Sequence, residues 1–254
     1  MTTKRPLLEA RGLSKRFGHV HVLRGVDFSV YPGEVTALIG DNGAGKSTLV
    51  KTLSGVLQPD DGQLFIDGEP TVINSPLHAR EFGIETVYQD LALAPDLSAA
   101  ENAYIGRELC RPGVLGRLGV LDKRSMRTKA EEAFRSLGTD LKDLDAPIAA
   151  LSGGQRQSVA ICRSAMWADR LVFMDEPTAA LGVVQTRKVL DLIKRVAETG
   201  VAVVLISHNM PEILEVAHRV QVLRMGCRVA DLVASECTVE DLVGAMTGAL
   251  DGAA

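Results

Sequence analysis

The stretch GDNGAGKST at residues 40–48 sets three glycines directly ahead of a lysine and two hydroxyls. Gly40, Gly45, Lys46 and Ser47 fit the pattern G-x4-G-K-[ST], a loop built to hold phosphate. Glycines at 43 and 45 leave the backbone unobstructed, so the N–H groups running through Asp41, Asn42, Gly43, Ala44 and Gly45 can converge on phosphate oxygens. A helix starting at Lys46 adds its positive N-terminal end. Lys46 reaches the β- and γ-phosphates of a nucleotide. The Ser47 hydroxyl, with Thr48 beside it, is suited to Mg2+.

A second group of reactive types stands at RLVFMDEP, residues 170–177. Four apolar residues deliver Asp175 and Glu176 to the C-terminal end of a buried strand, where α/β proteins bind ligands. Adjacent carboxylates there call for a cation. Asp175 is the natural Mg2+ contact, through water, and Glu176 is left to polarise an attacking water. A helix-capping role is the plainer alternative for Glu176. His208 ends the apolar run VAVVLISH and points at the same γ-phosphate if its strand neighbours that of Asp175; a satisfied polar residue at a strand end is the plainer alternative. A third group is LSGGQ at 151–155, a second anion cradle. Ser152 offers a hydroxyl, Gly153 and Gly154 bare their N–H groups, and a helix from Gln155 adds a positive end.

These groups need a scaffold, and the sequence supplies an α/β one. Residues 7–17 and 22–31 alternate as strands around a turn at Gly18, and 35–40 reads as a strand buried on both faces. A helix follows over 46–55, a hairpin over 62–73 with its turn at Asp67–Gly68, and a strand over 83–89. From about 90 to 165 strand signals fade, and 129–138 and 155–168 read as helices, so a helical subdomain inserted in one domain spanning 1–254 is expected, with a loop over 111–122. The core resumes with a strand at 170–177, a helix at 184–200 and a strand at 201–208, a βαβ order that implies parallel pairing. A hairpin over 219–232 and a helix over 239–248 close it.

The 254 residues carry a net charge of −4, which argues against a generic nucleic-acid binder. No apolar run approaches the roughly 20 residues needed to cross a bilayer. The N-terminal MTTKRPLLEARG lacks the apolar segment of a secretory signal. Cys110, Cys162, Cys227 and Cys237 show no metal-ligand spacing and fit a reducing compartment.

With these motifs in order, the chain resembles the ATP-binding cassette (ABC) family of ATPases along nearly all its length. The resemblance implies a P-loop NTPase core with an N-terminal antiparallel β-subdomain and an inserted helical subdomain. It implies ATP and Mg2+ as cofactors, and Lys46, Glu176 and His208 as catalytic groups. Gln89 in TVYQD matches the Q-loop glutamine, which touches both the metal and the catalytic centre. Phe17 in SKRFG matches the aromatic that stacks on adenine, with a strand-core role as the alternative. LSGGQ matches the family signature, which closes over the ATP of a second cassette. The functional unit implied is therefore a head-to-tail dimer of this chain, joined by ATP and released by hydrolysis. One departure stands out: where the family usually reads SALD, this chain reads AALG, with Gly182 in place of the aspartate that couples the two sites.

Residues 73–108 and EPTAALGV at 176–183 are similar to bacterial importers of monosaccharides such as ribose, xylose or fructose. This implies a cytoplasmic subunit, peripheral on the inner face of the membrane. Its partners would be a separate transmembrane permease and a periplasmic or extracellular sugar-binding protein, with no nucleic acid. The alternatives are the ATPase of another transporter, for amino acids, lipids or drugs, and a soluble ABC ATPase.

Overall fold

The computed structural model describes residues 5–88, 90–139, 141 and 143–249. Strands β1 (Leu8–Phe17) and β2 (Val20–Val30) pair antiparallel, with Leu8 opposite Val30 and Phe17 opposite Val20. After β3 (Val35–Ile39) and helix α1 (Lys46–Leu53), strands β4 (Asp61–Ile66) and β5 (Glu69–Thr71) join that ladder. The result is an antiparallel sheet in the order β2-β1-β4-β5.

A second, six-stranded sheet carries the site. It contains β3, β6 (Ile84–Val87), β7 (Leu171–Asp175), β8 (Ala202–Ile206), β9 (Arg219–Arg224) and β10 (Cys227–Val233), in the order β10-β9-β3-β8-β7-β6. All neighbours from β9 to β6 run parallel, and β10 turns back antiparallel at the edge. The central strands read VTALI, LVFMD and AVVLI because both faces are covered. In β7, Leu171 and Phe173 face α1 and the antiparallel sheet, while Val172 and Met174 face the helical layer. Gln221 of β9, wholly buried, ties the two sheets: its Nε2 donates to the Ser29 carbonyl at 2.6 Å.

Helices α2 (Pro76–Glu81), α3 (Ala99–Ala103), α4 (Val114–Arg117), α5 (Lys123–Ser136), α6 (Gly153–Trp167), α7 (Val183–Glu198), α8 (Met210–Val216) and α9 (Val239–Thr247) complete the chain. Among the described residues between β6 and β7, helices α3 to α6 occur with no strand, only the isolated bridges Ser98–Pro147 and Cys110–Leu121. Helix α5 starts six residues before the expected 129, because the Asp122 carboxylate caps it by accepting from the Ser125 N–H at 3.1 Å. The expected loop at 111–122 contains the single turn α4. Helices α2, α3 and α8 were not legible as periodic patterns, being five to seven residues long. Their caps Ser75, Ser98 and Asn209 mark them instead.

Candidate nucleotide site

Buried β3 ends at Ile39, and the chain then wraps through Gly40–Gly45 into α1. Gly45 is the N-cap of α1 in the left-handed region (φ 105°), and a Cβ there would lie 3.0 Å from the Val22 carbonyl oxygen. At Gly40 a Cβ would lie 2.1 Å from the Leu223 carbonyl oxygen, so only glycine lets β9 and this loop approach so closely. Lys46 Nζ donates to the carbonyls of Gly40 (2.7 Å) and Asp41 (3.1 Å), folding the ammonium back over the loop. The Asp41 carboxylate accepts from the Asn42 N–H at 2.8 Å, and Ser47 stands exposed in the first turn of α1. A phosphate seated here would meet the same ammonium and the N-terminus of α1.

Strands β7 and β8 are direct neighbours, with Asp175 opposite Ile206. That register brings the two acid residues and the histidine together. His208 Nδ1 lies 2.9 Å from Glu176 Oε1, within hydrogen-bond distance. Glu176 is held at φ 50°, a strained conformation for a residue with a side chain, and its N–H donates to the Ile206 carbonyl at 2.9 Å. Burial pushes the Asp175 carboxyl above the usual carboxylate range, the neighbouring Glu176 adds to this, and Lys46 and Lys51 oppose it. Two carboxylates pressed together beside a lysine are a receptive place for a divalent cation. No cluster of three or more His, Cys, Asp or Glu with metal-binding geometry occurs among the described residues. Asp175 and Ser47 offer hard oxygen donors of the kind that suit Mg2+.

Residues that the sequence reading missed hold this geometry. Glu212 accepts from Thr178 Oγ1 at 2.6 Å and from Asn209 Nδ2 at 2.7 Å, locking the segment after Glu176 to the one after His208. The Asn209-x-x-Glu212 spacing is a helix-start signal that could have pointed to it. Asn102, fully buried, accepts from the Ala94 N–H and donates to the carbonyls of Ala94, Leu97 and Ser98. Arg163 donates to the carbonyls of Leu91 and Ala92. Together they pin the segment that follows Gln89, which itself lies outside the described residues. No local pattern announces Asn102 or Arg163, since their partners are set by packing.

Phe17 ends β1 as an exposed residue (48%). It pairs with Val20, two residues before the Val22 carbonyl that touches the Gly45 region, so the tip of the hairpin leans on the phosphate loop. Ser152 begins α6 with a reciprocal cap: its Oγ accepts from the Gln155 N–H at 3.3 Å, and Gln155 Oε1 accepts from the Ser152 N–H at 2.9 Å. Gly153 and Gly154 form the first turn of that helix against the start of α7. A Cβ on Gly154 would meet Gln185 Cγ at 2.7 Å. A cleft of about 440 Å³ beside it is lined by Ser152, Gln155, Ser158, Gln185, Lys188 and Arg195 among others, and by no residue of 40–48. The second cradle and the phosphate loop therefore share no residue of this cleft. Gly182 is the N-cap of α7 in extended backbone, with no side-chain cap, and Gln185 Oε1 lies 2.9 Å from where its Cβ would stand.

Comparison with known proteins gives the family and the fold. The family model described as "ABC transporter" matches residues 23–179. The chain is 48% identical over 246 residues to the fructose import ATP-binding protein FrcA of Rhizobium meliloti, covering 96% of this chain and 95% of that one. It is 45% identical over 245 residues to the ribose import ATP-binding protein RbsA 2 of Burkholderia pseudomallei, covering 96% of this chain but 47% of the relative, so it spans about half of that longer protein. Among solved structures, the ADP conformation of MJ1267, an ATP-binding cassette of an ABC transporter, superposes with a TM-score of 0.79 at 25% identity, covering 95% of both chains.

Proposed function

The chain belongs to the ABC transporter family, and from that premise we propose that it is the ATP-hydrolysing subunit of a carbohydrate importer, with a monosaccharide as cargo. The observation that carries the ATPase chemistry is the Glu176–His208 contact at the ends of neighbouring strands, beside the loop of Lys46. The near full-length match to a fructose import ATPase supports the choice of cargo class.

In this reading ATP lies with its phosphates across Gly40–Thr48 and its adenine against Phe17. Lys46 exchanges its loop carbonyls for β- and γ-phosphate oxygens. A magnesium ion, when bound, supplies charge neutralisation at the phosphates, held by Ser47, by Asp175 and by Gln89. Glu176 keeps one carboxylate oxygen on His208 and turns the other to the attacking water, drawing off its proton. His208 Nδ1 stays with Glu176, which leaves Nε2 for a γ-phosphate oxygen. The cleft beside Ser152 and Gln155 holds no residue of its own phosphate loop, which supports a head-to-tail dimer where each chain closes over the other's ATP.

Among the described residues no helix is long and apolar enough to cross a membrane. In this reading a separate permease spans the membrane, and the cassette meets it on its cytoplasmic side through Gln89 and the helical region 90–165. A sugar-binding protein delivers the cargo to that permease. The test is Glu176→Gln. Turnover should fall at least ~100-fold while ATP stays bound. Tagged Glu176→Gln, captured with ATP from gently solubilised native membranes, should bring down a many-span permease and a sugar-binding protein. Wild-type turnover would remove Glu176 from its role, and capture of soluble partners alone would remove the importer assignment.

A further inference from the structure

Between Leu109 and Asp122 the chain forms a knob that closes on itself. The Asp122 N–H donates to the Leu109 carbonyl, Arg111 N–H to Val120 (2.9 Å), Leu118 N–H to Val114 (3.2 Å) and Val120 N–H to Leu115 (3.0 Å). These bonds order the knob, yet its apolar side chains point outward. Val114 is 72% exposed and Leu118 73%, with Leu115, Val120 and Leu121 exposed beside them. Scattered exposed apolar residues need no explanation, but five within eight residues on one folded tip form a patch.

The surroundings of that tip are basic, in a chain whose net charge is −4. Residues 107–129 hold seven Lys or Arg and two Asp or Glu. Some of the cations are spent inside the fold: Arg107 pairs with Glu85, Lys123 with Glu101 and Arg127 with Asp145. Arg111, Arg117 and Arg124 are exposed and form no ion pair among the described residues. The knob also continues directly from Ile105 and Arg107, which with Arg80, Tyr88 and Trp167 line a groove at the end of β6, next to the segment assigned above to the permease.

We propose that this knob is a membrane-surface contact that seats its apolar tip among the headgroups of anionic phospholipids, with Arg111, Arg117 and Arg124 meeting the lipid phosphates. An exposed apolar tip with Arg111, Arg117 and Arg124 in and beside it, set against the acids Glu108 and Asp122, is complementary to an anionic interface, where burial and charge attraction act together. A second copy of the chain is a poor occupant, because knob-to-knob packing would bring like cations into contact. The proposal rests on the importer reading only for which membrane is met; it supplies the cassette with a lipid anchorage additional to its permease.

The experiment is co-sedimentation of the full chain with phosphatidylcholine vesicles, with and without phosphatidylglycerol. Binding to the anionic vesicles is expected, weakening as salt rises. The double variant Arg111→Glu with Arg117→Glu should reduce that partition at least ~10-fold. Val114→Ser with Leu118→Ser should reduce it on the same vesicles without changing the salt dependence. These side chains are exposed, so ATP binding is the check that both variants remain folded. No binding to anionic vesicles, or binding unchanged by either double variant, overturns the proposal. Loss of permease capture by the variants without any vesicle binding overturns it too, and marks the knob as a protein interface. Because vesicle binding needs no turnover, its failure leaves the ATPase assignment standing.

Discussion

At the scale of single residues, the site is a balance of charges brought close by strand register. Asp175 is half-buried beside Glu176, and its carboxyl holds its proton more tightly in the folded chain than in the open one. A raised carboxyl pKa contributes stability below its ordinary value of 3.8, and that contribution is lost as pH rises through the folded value. Without nucleotide, Asp175→Asn is therefore expected to melt higher than the parent at neutral pH, with the gap closing toward about pH 4. Thermal melts at several pH values read this directly; a gap independent of pH would mean that the ionised carboxylate carries no penalty. With ATP and magnesium present the order should reverse, because the same substitution removes a metal contact. The presence of Asp175, Glu176 and His208 was legible from apolar runs ending in polar residues. That His208 would share the site was legible only on condition that the strands be neighbours, and its contact with Glu176 was not legible at all.

At the scale of elements, the helices that position the site divide by how they are specified. Helix α7 has the spacing of an amphipathic helix over sixteen residues, and its existence could be read directly. Helix α3 has five residues and survives through a reciprocal Ser98–Glu101 cap and the wholly buried Asn102. The side chain of Asn102 bonds to three separate backbone positions between Ala94 and Ser98. Asn102→Ala should leave the Ala94 N–H without its partner and cost about 1–3 kcal/mol. Urea unfolding would measure that loss, and hydrogen exchange should rise first within residues 90–98. Unchanged exchange there would show that Asn102 does not hold the segment. The reason the sequence concealed this element is that its determinant is one side chain with scattered partners, and no period reports such a thing.

At the scale of the whole molecule, the described residues form three cores, one under the antiparallel sheet and α1, one under the helical layer, and one where β3 and β9 meet α8 and α9. The phosphate loop adjoins the first through Ala44, and the Ser152 cradle adjoins the second through Leu151. A mixture of Lys46→Ala and Ser152→Ala chains should therefore recover ATPase activity above either variant alone, since each mixed dimer keeps one intact composite site. Absence of any recovery would count against closure in trans. Gly182 bears on the size of the effect: with no carboxylate at the start of α7 to link the two sites, each is expected to fire more independently.

The sequence by itself determined the chemistry and the class of fold. The spacing of Gly40, Gly45, Lys46 and Ser47, the runs ending at Asp175 and His208, and the alternation from β to α are local patterns, and local patterns are written in consecutive residues. The strand order β10-β9-β3-β8-β7-β6 was decided only in three dimensions. So were the clasp of Glu212 across Thr178 and Asn209, the Arg163 and Asn102 anchors, and the folding of 109–122 into an outward-facing apolar knob. Each of these joins residues far apart in the chain or sets which side of a loop meets solvent. Such choices are made by the packing of the assembled elements, and no window of sequence contains them.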